Sequence, residues 1–146
     1  MKSLDGIAGI DELLAARLAA ADSPAVVSAY MFGSRAEGRA HRESDLDLGI
    51  LLDRGVLPTS KDRFEASLRI GSELAGSLAI EQVDVVVLND APPLIARRIV
   101  TEGRRLFCRD SEIDHAFVRD VQLRAADLQP FLDRMRKIKL KALAPR

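Results

Sequence analysis

The chain has 146 residues, 22 basic and 22 acidic side chains, and 47% hydrophobic residues. That length suits one domain with a real hydrophobic core, and the balanced charge excludes a global electrostatic case for nucleic acid or an anionic surface. A single cysteine, Cys108, excludes an internal disulfide. With no signal-like opening and no apolar run of membrane-spanning length, it sets the expectation of a cytoplasmic protein.

In chain order, Ala- and Leu-rich residues 11–21 read as a helix ended by Asp22, Ser23 and Pro24. Residues 25–32, AVVSAYMF, form a β-branched and aromatic run expected to be a buried strand, stopped by Gly33 and Ser34. Polar residues 35–43 suit a short helical turn and a loop. Residues 44–52, SDLDLGILL, begin in strict alternation and end as a continuous apolar run, so they read as a second strand. A turn at 53–60 leads to apolar residues at helical spacing over 61–79. VDVVVL at 83–88 is the clearest third strand. A helix is expected from 89 to 103, with Asn89 or Asp90 near its cap, prolines in its first turn and Gly103 at its end. Residues 104–108 suit a short fourth strand. From Ser111 to about Ala142 the pattern is helical, with a break or kink expected at Pro130. The alternation of strands and helices predicts an α/β (α+β) domain around one small sheet, spanning 1–146 without an internal boundary.

The unusual stretch is Gly33 to Asp47. Asp45 and Asp47 share one strand face about 6.6 Å apart at Cα, given a rise of ~3.3 Å per residue. Two carboxylates so placed can converge on Mg²⁺, which keeps part of its shell for water and substrate phosphates. Gly33 and Ser34 supply the complementary half: a glycine after a strand lets backbone N–H groups approach an anion, and a helix starting there adds its own donors. A third carboxylate completes a two-metal site. Asp84, placed before an apolar run as Asp45 is, is preferred to Asp90, which lies beyond the strand; Asp84 could also act as general base toward a hydroxyl. A lone Asp-x-Asp or Gly-Ser is common and usually solvated, whereas Gly-Ser, ten residues and Asp-x-Asp arise together by chance in roughly one such chain in several hundred.

GSRAEGRAHRESDLDLGI resembles the G-S-x10-D-x-D signature of the DNA polymerase β-like nucleotidyltransferase superfamily, in its minimal branch. Residues 83–110 are further similar to the segment after the third Asp in MntA-type antitoxins. The resemblance implies a small mixed β-sheet flanked by helices and AMP transfer from ATP to a hydroxyl, with Mg²⁺ (two ions) and pyrophosphate release. Its implied acceptor is a tyrosine of a HEPN-domain ribonuclease toxin (HepT-like), neutralised by the modification. Carried over residue by residue, it makes Asp45, Asp47 and Asp84 the metal ligands and catalytic carboxylates, and Gly33 and Ser34 the triphosphate turn.

Arg35, next to that turn, is a candidate phosphate contact, while Arg39 and Arg42 read better as solvated loop. His41 has no partner at zinc-ligand spacing, and His115 sits in a charged helix and reads as exposed or structural. Cys108 reads as a small buried hydrophobe and Tyr30, the sole tyrosine, as core. The basic C-terminal stretch RMRKIKLKALAPR reads first as a solvated face, then as a partner contact, and direct nucleic-acid binding is not expected. Two rival functions remain open on sequence grounds: transfer to a small-molecule hydroxyl such as an aminoglycoside, which needs helical substrate-binding structure with little room here, and non-catalytic masking of a partner.

Overall fold

The computed structural model describes residues 7–20, 25–33 and 46–143. Four strands form one mixed sheet: β1 (Val26–Phe32), β2 (Leu46–Leu52), β3 (Val83–Val87) and β4 (Arg104–Cys108), in the order β3-β2-β1-β4. β1 runs antiparallel to both β2 and β4, and β2 runs parallel to β3. The crossover between the parallel pair is α2 (Ser60–Leu78), the kind of connection parallel neighbours require. The other helices are α1 (Ile7–Ala20), α3 (Pro93–Glu102) and α4 (Ser111–Leu143).

Period-two alternation divides the sheet into two buried faces. Met31, Leu46, Leu48, Ile50 and Leu52 turn toward α1 and α2, where Ile10, Leu14 and Leu18 of one helix and Ile70, Leu74 and Leu78 of the other close the larger core. Val27, within a register shift between Val26 and Ser28 of β1, turns the other way with Tyr30 and Leu51, toward Ala96 and Ile99 of α3 and Val121 of α4. Gly49 lies on that second face. A Cβ there would come within 2.7 Å of Ile99 Cγ2 and 3.1 Å of Leu88 Cδ2, so the missing side chain is what lets α3 sit close.

Four of the sequence expectations need correction. The first helix starts at Ile7, a turn earlier than the Ala-Leu run suggests, because Ile10 is already in the core stripe with Leu14 and Leu18. Asn89 and Asp90 do not cap α3. They belong to a 3₁₀ turn (Leu88–Asp90), and α3 begins after Pro92, which caps it without a side-chain hydrogen bond. α4 is continuous across Pro130, so the break that the proline suggests does not occur. The carbonyl that Pro130 leaves without a helical donor belongs to Ala126, and both residues are exposed, so water can satisfy it. Cys108 is half-buried rather than buried, at the end of an edge strand. His115 is exposed and Tyr30 is buried.

Polar clamps tie the layers together. Asn89 acts as a surrogate strand residue: Leu52 N–H donates to its Oδ1 (2.9 Å), and its Nδ2 donates to Leu52 O (2.8 Å). Arg63 of α2, 4% exposed, grips Asp90 with Nε to Oδ2 at 2.9 Å and Nη2 to Oδ1 at 2.8 Å, and gives its Nη1 to Leu57 O. The hydrogen bonds from Arg63 hold the Asp90 carboxyl below the usual carboxylate range. On the opposite face Asp114 of α4, 1% exposed, accepts from Tyr30 Oη at 2.7 Å and from Arg105 Nη1 at 3.1 Å. α4 starts on Asp110, whose Oδ1 accepts from the N–H groups of Glu112 and Ile113.

Burial, then the hydrogen bond to Asp114, raises the Tyr30 pKa above its ordinary 10. The neutral phenol is the form the fold favours, so its contribution is complete below pH 10 and is lost as pH rises beyond that. Tyr30 is the only tyrosine and there is no tryptophan, so phenolate absorbance reports this one group. It is expected to stay silent through pH 10 in the folded chain and to appear on unfolding; Tyr30→Phe should flatten the loss of stability at alkaline pH in urea titrations. Asn89→Ala removes both bonds to Leu52, and a fall in the urea midpoint equivalent to about 1–3 kcal/mol is expected, with the slope unchanged.

Candidate active site

The turn out of β1 and the starts of β2 and β3 lie at one end of the sheet. Phe32 is opposite Asp47 in the antiparallel ladder, and Asp47 is opposite Asp84 in the parallel one. Residues paired in a ladder point to the same face, and neighbouring strands lie roughly 4.8 Å apart. Asp47 and Asp84 are therefore adjacent carboxylates on the α3 and α4 side of the sheet, beyond the apolar contacts that fill its middle.

Gly33 follows immediately with φ +79°, in the left-handed region that glycine enters without cost. A Cβ at this position would overlap Asp47 Oδ2 and lie 3.3 Å from Asp47 Cγ. Glycine is thus required twice, for the backbone angle and for the carboxylate lying against it. The chain turns over Asp47 at van der Waals range, which is the close backbone approach an anion-holding loop needs.

The two carboxylates differ in surroundings. Asp47 is half-buried, whereas Asp84 is exposed and its Oδ1 accepts from Gln82 Nε2 at 2.7 Å. Gln82 has no part in the sequence expectations; its spacing of two from Asp84 is the signal that places it on the same side of the strand. Asp90, the alternative third carboxylate, is held by Arg63 on α2. Ser34, Arg35 and Asp45, together with Arg39, His41 and Arg42, lie outside the described residues. Among the described residues no three His, Cys, Asp or Glu side chains gather as a metal-holding group. Asp47 and Asp84 supply two oxygen donors of the kind that suits Mg²⁺.

Among the described residues no helix is long and apolar enough to cross a membrane. Comparison with known proteins places this architecture among relatives. Over 78 residues the chain is 31% identical to the protein adenylyltransferase MntA of Shewanella oneidensis (strain MR-1), a match covering 53% of this chain and 51% of that protein. The chain thus spans about half the length of that curated relative. A crystal structure of a toxin-antitoxin with AMP-PNP is 25% identical, with a TM-score of 0.59 over 89% of this chain and 98% of that one. A tri-AMPylated Shewanella oneidensis HEPN toxin in complex with MNT antitoxin matches at 22% identity and a TM-score of 0.55, over 86% of this chain and 98% of that one, a likeness of fold alone. The family model for polymerase beta, nucleotidyltransferase matches residues 17–112, which take in β1 to β4 and every candidate site residue. The chain belongs to that nucleotidyltransferase family.

Proposed function

We propose that this chain is a protein adenylyltransferase antitoxin. It transfers AMP from ATP to a tyrosine hydroxyl of a cognate HEPN-domain toxin and thereby neutralises it. The observation that carries the chemistry is the pairing of Asp47 with Asp84 beneath the left-handed turn at Gly33. Support for a protein acceptor comes from the relative named as a protein adenylyltransferase, and support for a toxin partner from the toxin-antitoxin structure with AMP-PNP, in which 98% of the matched chain is aligned.

Asp45, Asp47 and Asp84 would hold Mg²⁺, which when bound neutralises triphosphate charge and favours an in-line displacement. Gly33, with Ser34 and Arg35 in the roles the family motif assigns them, would contact the phosphates. The incoming tyrosine oxygen bonds to the α-phosphorus, the bond to the bridging oxygen breaks, and pyrophosphate leaves with that electron pair. The phenol, with an unperturbed pKa near 10, gives up its proton to Asp84, the exposed member of the pair. Gln82 fixes the Asp84 carboxylate through one oxygen, leaving the other to receive that proton. Catalysis on this account is positioning and charge stabilisation, without a covalent enzyme intermediate.

The test is intact mass of the HEPN protein encoded beside or co-purifying with this chain, after incubation with the chain, ATP and Mg²⁺. A gain of one or more AMP groups is expected, absent with Asp45→Asn/Asp47→Asn. A partner left unmodified yet silenced by the well-folded double variant would replace catalysis with masking. Asp84→Asn is expected to lower kcat by at least ~10²-fold, the lower range for loss of a general base. Gly33→Ala should act through Asp47 rather than stability: about a hundredfold loss of transfer is expected, with the thermal midpoint displaced by only a few degrees.

A further inference from the structure

The outer edge of β3 is continuous with this catalytic pair. Among the described residues β3 is hydrogen-bonded on one side only, to β2. Leu46 N–H donates to Gln82 O at 3.2 Å, which turns the Gln82, Asp84 and Val86 peptide groups toward β2. Strand alternation then turns the N–H and C=O of Val83, Val85 and Val87 outward. Exposed edges are ordinarily blunted by Lys, Pro or a bulge. VDVVV has none of these, and its one charge, Asp84, belongs to the site's face.

Beside that edge runs a groove of about 360 Å³, lined by α2 and by β3 from Val83 to Val85. Phe64 and Leu68 on the helix are 59% and 56% exposed, one turn apart, although both are large apolar side chains. Gly71, on the same stripe, brings the helix down to the strand: a Cβ there would lie 3.0 Å from Val83 O. The groove therefore pairs outward peptide groups at every second residue with an apolar wall.

We infer that this edge docks an extended segment of the acceptor polypeptide as an added strand, and that the docking presents the hydroxyl to Asp84. The inference rests on the transfer reaction proposed above. A second backbone matches peptide groups repeated at a spacing of two, which a small hydroxyl compound cannot, so the occupant is a polypeptide. Register does the positioning. A residue opposite Asp84 on an added strand points to the face that Asp84 and Asp47 share, roughly 5 Å from Asp84 at Cβ, and the diagonal neighbours at roughly 7–8 Å remain within reach of an aromatic side chain. A tyrosine on the diagonal can thus lean its hydroxyl toward the carboxylate. Alternate residues of the same segment fall on the other face, over Leu68 and Phe64.

The experiment uses the full chain, ¹⁵N-labelled and dilute, with a HEPN-domain protein that accepts AMP from it as probe. Residue-resolved amide exchange is expected to be fast at Val83, Val85 and Val87 and slow at Asp84 and Val86, whose amides face β2. Saturating HEPN protein should slow the three edge amides by at least about tenfold, equivalent to ~1.4 kcal/mol of protection. In steady-state transfer, Leu68→Lys, which places the usual edge guard in the groove, should raise KM for the HEPN protein about tenfold and leave KM for ATP within about twofold. Edge amides already slow in the dilute free chain overturn the inference. So does AMP transfer with no added edge protection, or an unchanged partner KM in Leu68→Lys. Protection that grows with the chain's own concentration, alongside a dimer in sedimentation, assigns the edge to a second copy and overturns it too. Absence of AMP transfer to any HEPN protein is a different result: it overturns the transferase reading itself.

Discussion

The parallel register of β2 on β3 is the constraint on which everything at the site depends. It sets Asp47 beside Asp84, and the same alternation sends Leu46, Leu48 and Ile50 into the core against α1 and α2. A slip of one residue would drive the carboxylate at 47 into that core and lift three large aliphatic side chains out of it. Burying a carboxylate costs several kcal/mol and exposing each aliphatic group about 1.5–3 kcal/mol, so the hydrophobic pattern of β2 enforces the alignment of the two carboxylates. The site needs no separate device to hold its carboxylates together. Core packing does it.

The polar clamps divide labour in the same way. Arg63–Asp90 and Asn89–Leu52 lie toward the end of the sheet away from Gly33, where chain segments without regular pairing must still be anchored, and Tyr30–Asp114–Arg105 fastens α4 to β1 and β4. Their carboxylates are engaged by arginines or a phenol within the fold. Among the described residues Asp84 is engaged through Gln82, a neutral donor. One chain thus carries structural carboxylates matched by cations and a site carboxylate matched by an amide, which keeps the latter's charge for a ligand.

Most of the architecture was legible from period and punctuation. Strands β1 to β4 and the helical pattern of α2 fall within a residue or two of expectation, because each is a dense apolar run bounded by Gly, Pro or polar residues. What was not legible had non-local causes. Asn89 and Asp90 carry the composition of a helix cap, yet their partners are Leu52 and Arg63, 37 and 27 positions away, and no local pattern announces such distances. Pro130 reads as a break, but helix α4 passes through it where the carbonyl it orphans faces water. At the site, Gly33 and the Asp-x-Asp spacing stood out in sequence, whereas the steric need for glycine against Asp47 required the ladder register.

That steric need also bears on why the site sits at a strand end. In mid-sheet both faces are closed by helices, and Gly49 is required there so that Ile99 and Leu88 can pack without a gap. At the end of β1 the same absence of a side chain does the opposite: Gly33 keeps atoms off a carboxylate rather than admitting them to a core. Helix α3 reaches this end only at its C-terminus, where Gly103 lies within 2.8 Å of Met31 O as measured from a virtual Cβ, and it contributes no buried side chain beyond Ile99. The carboxylate pair therefore lies where helical cover ends and strand alternation continues. Only at such a boundary can two acidic side chains be positioned by a hydrophobic core and still face a solvated, highly charged ligand.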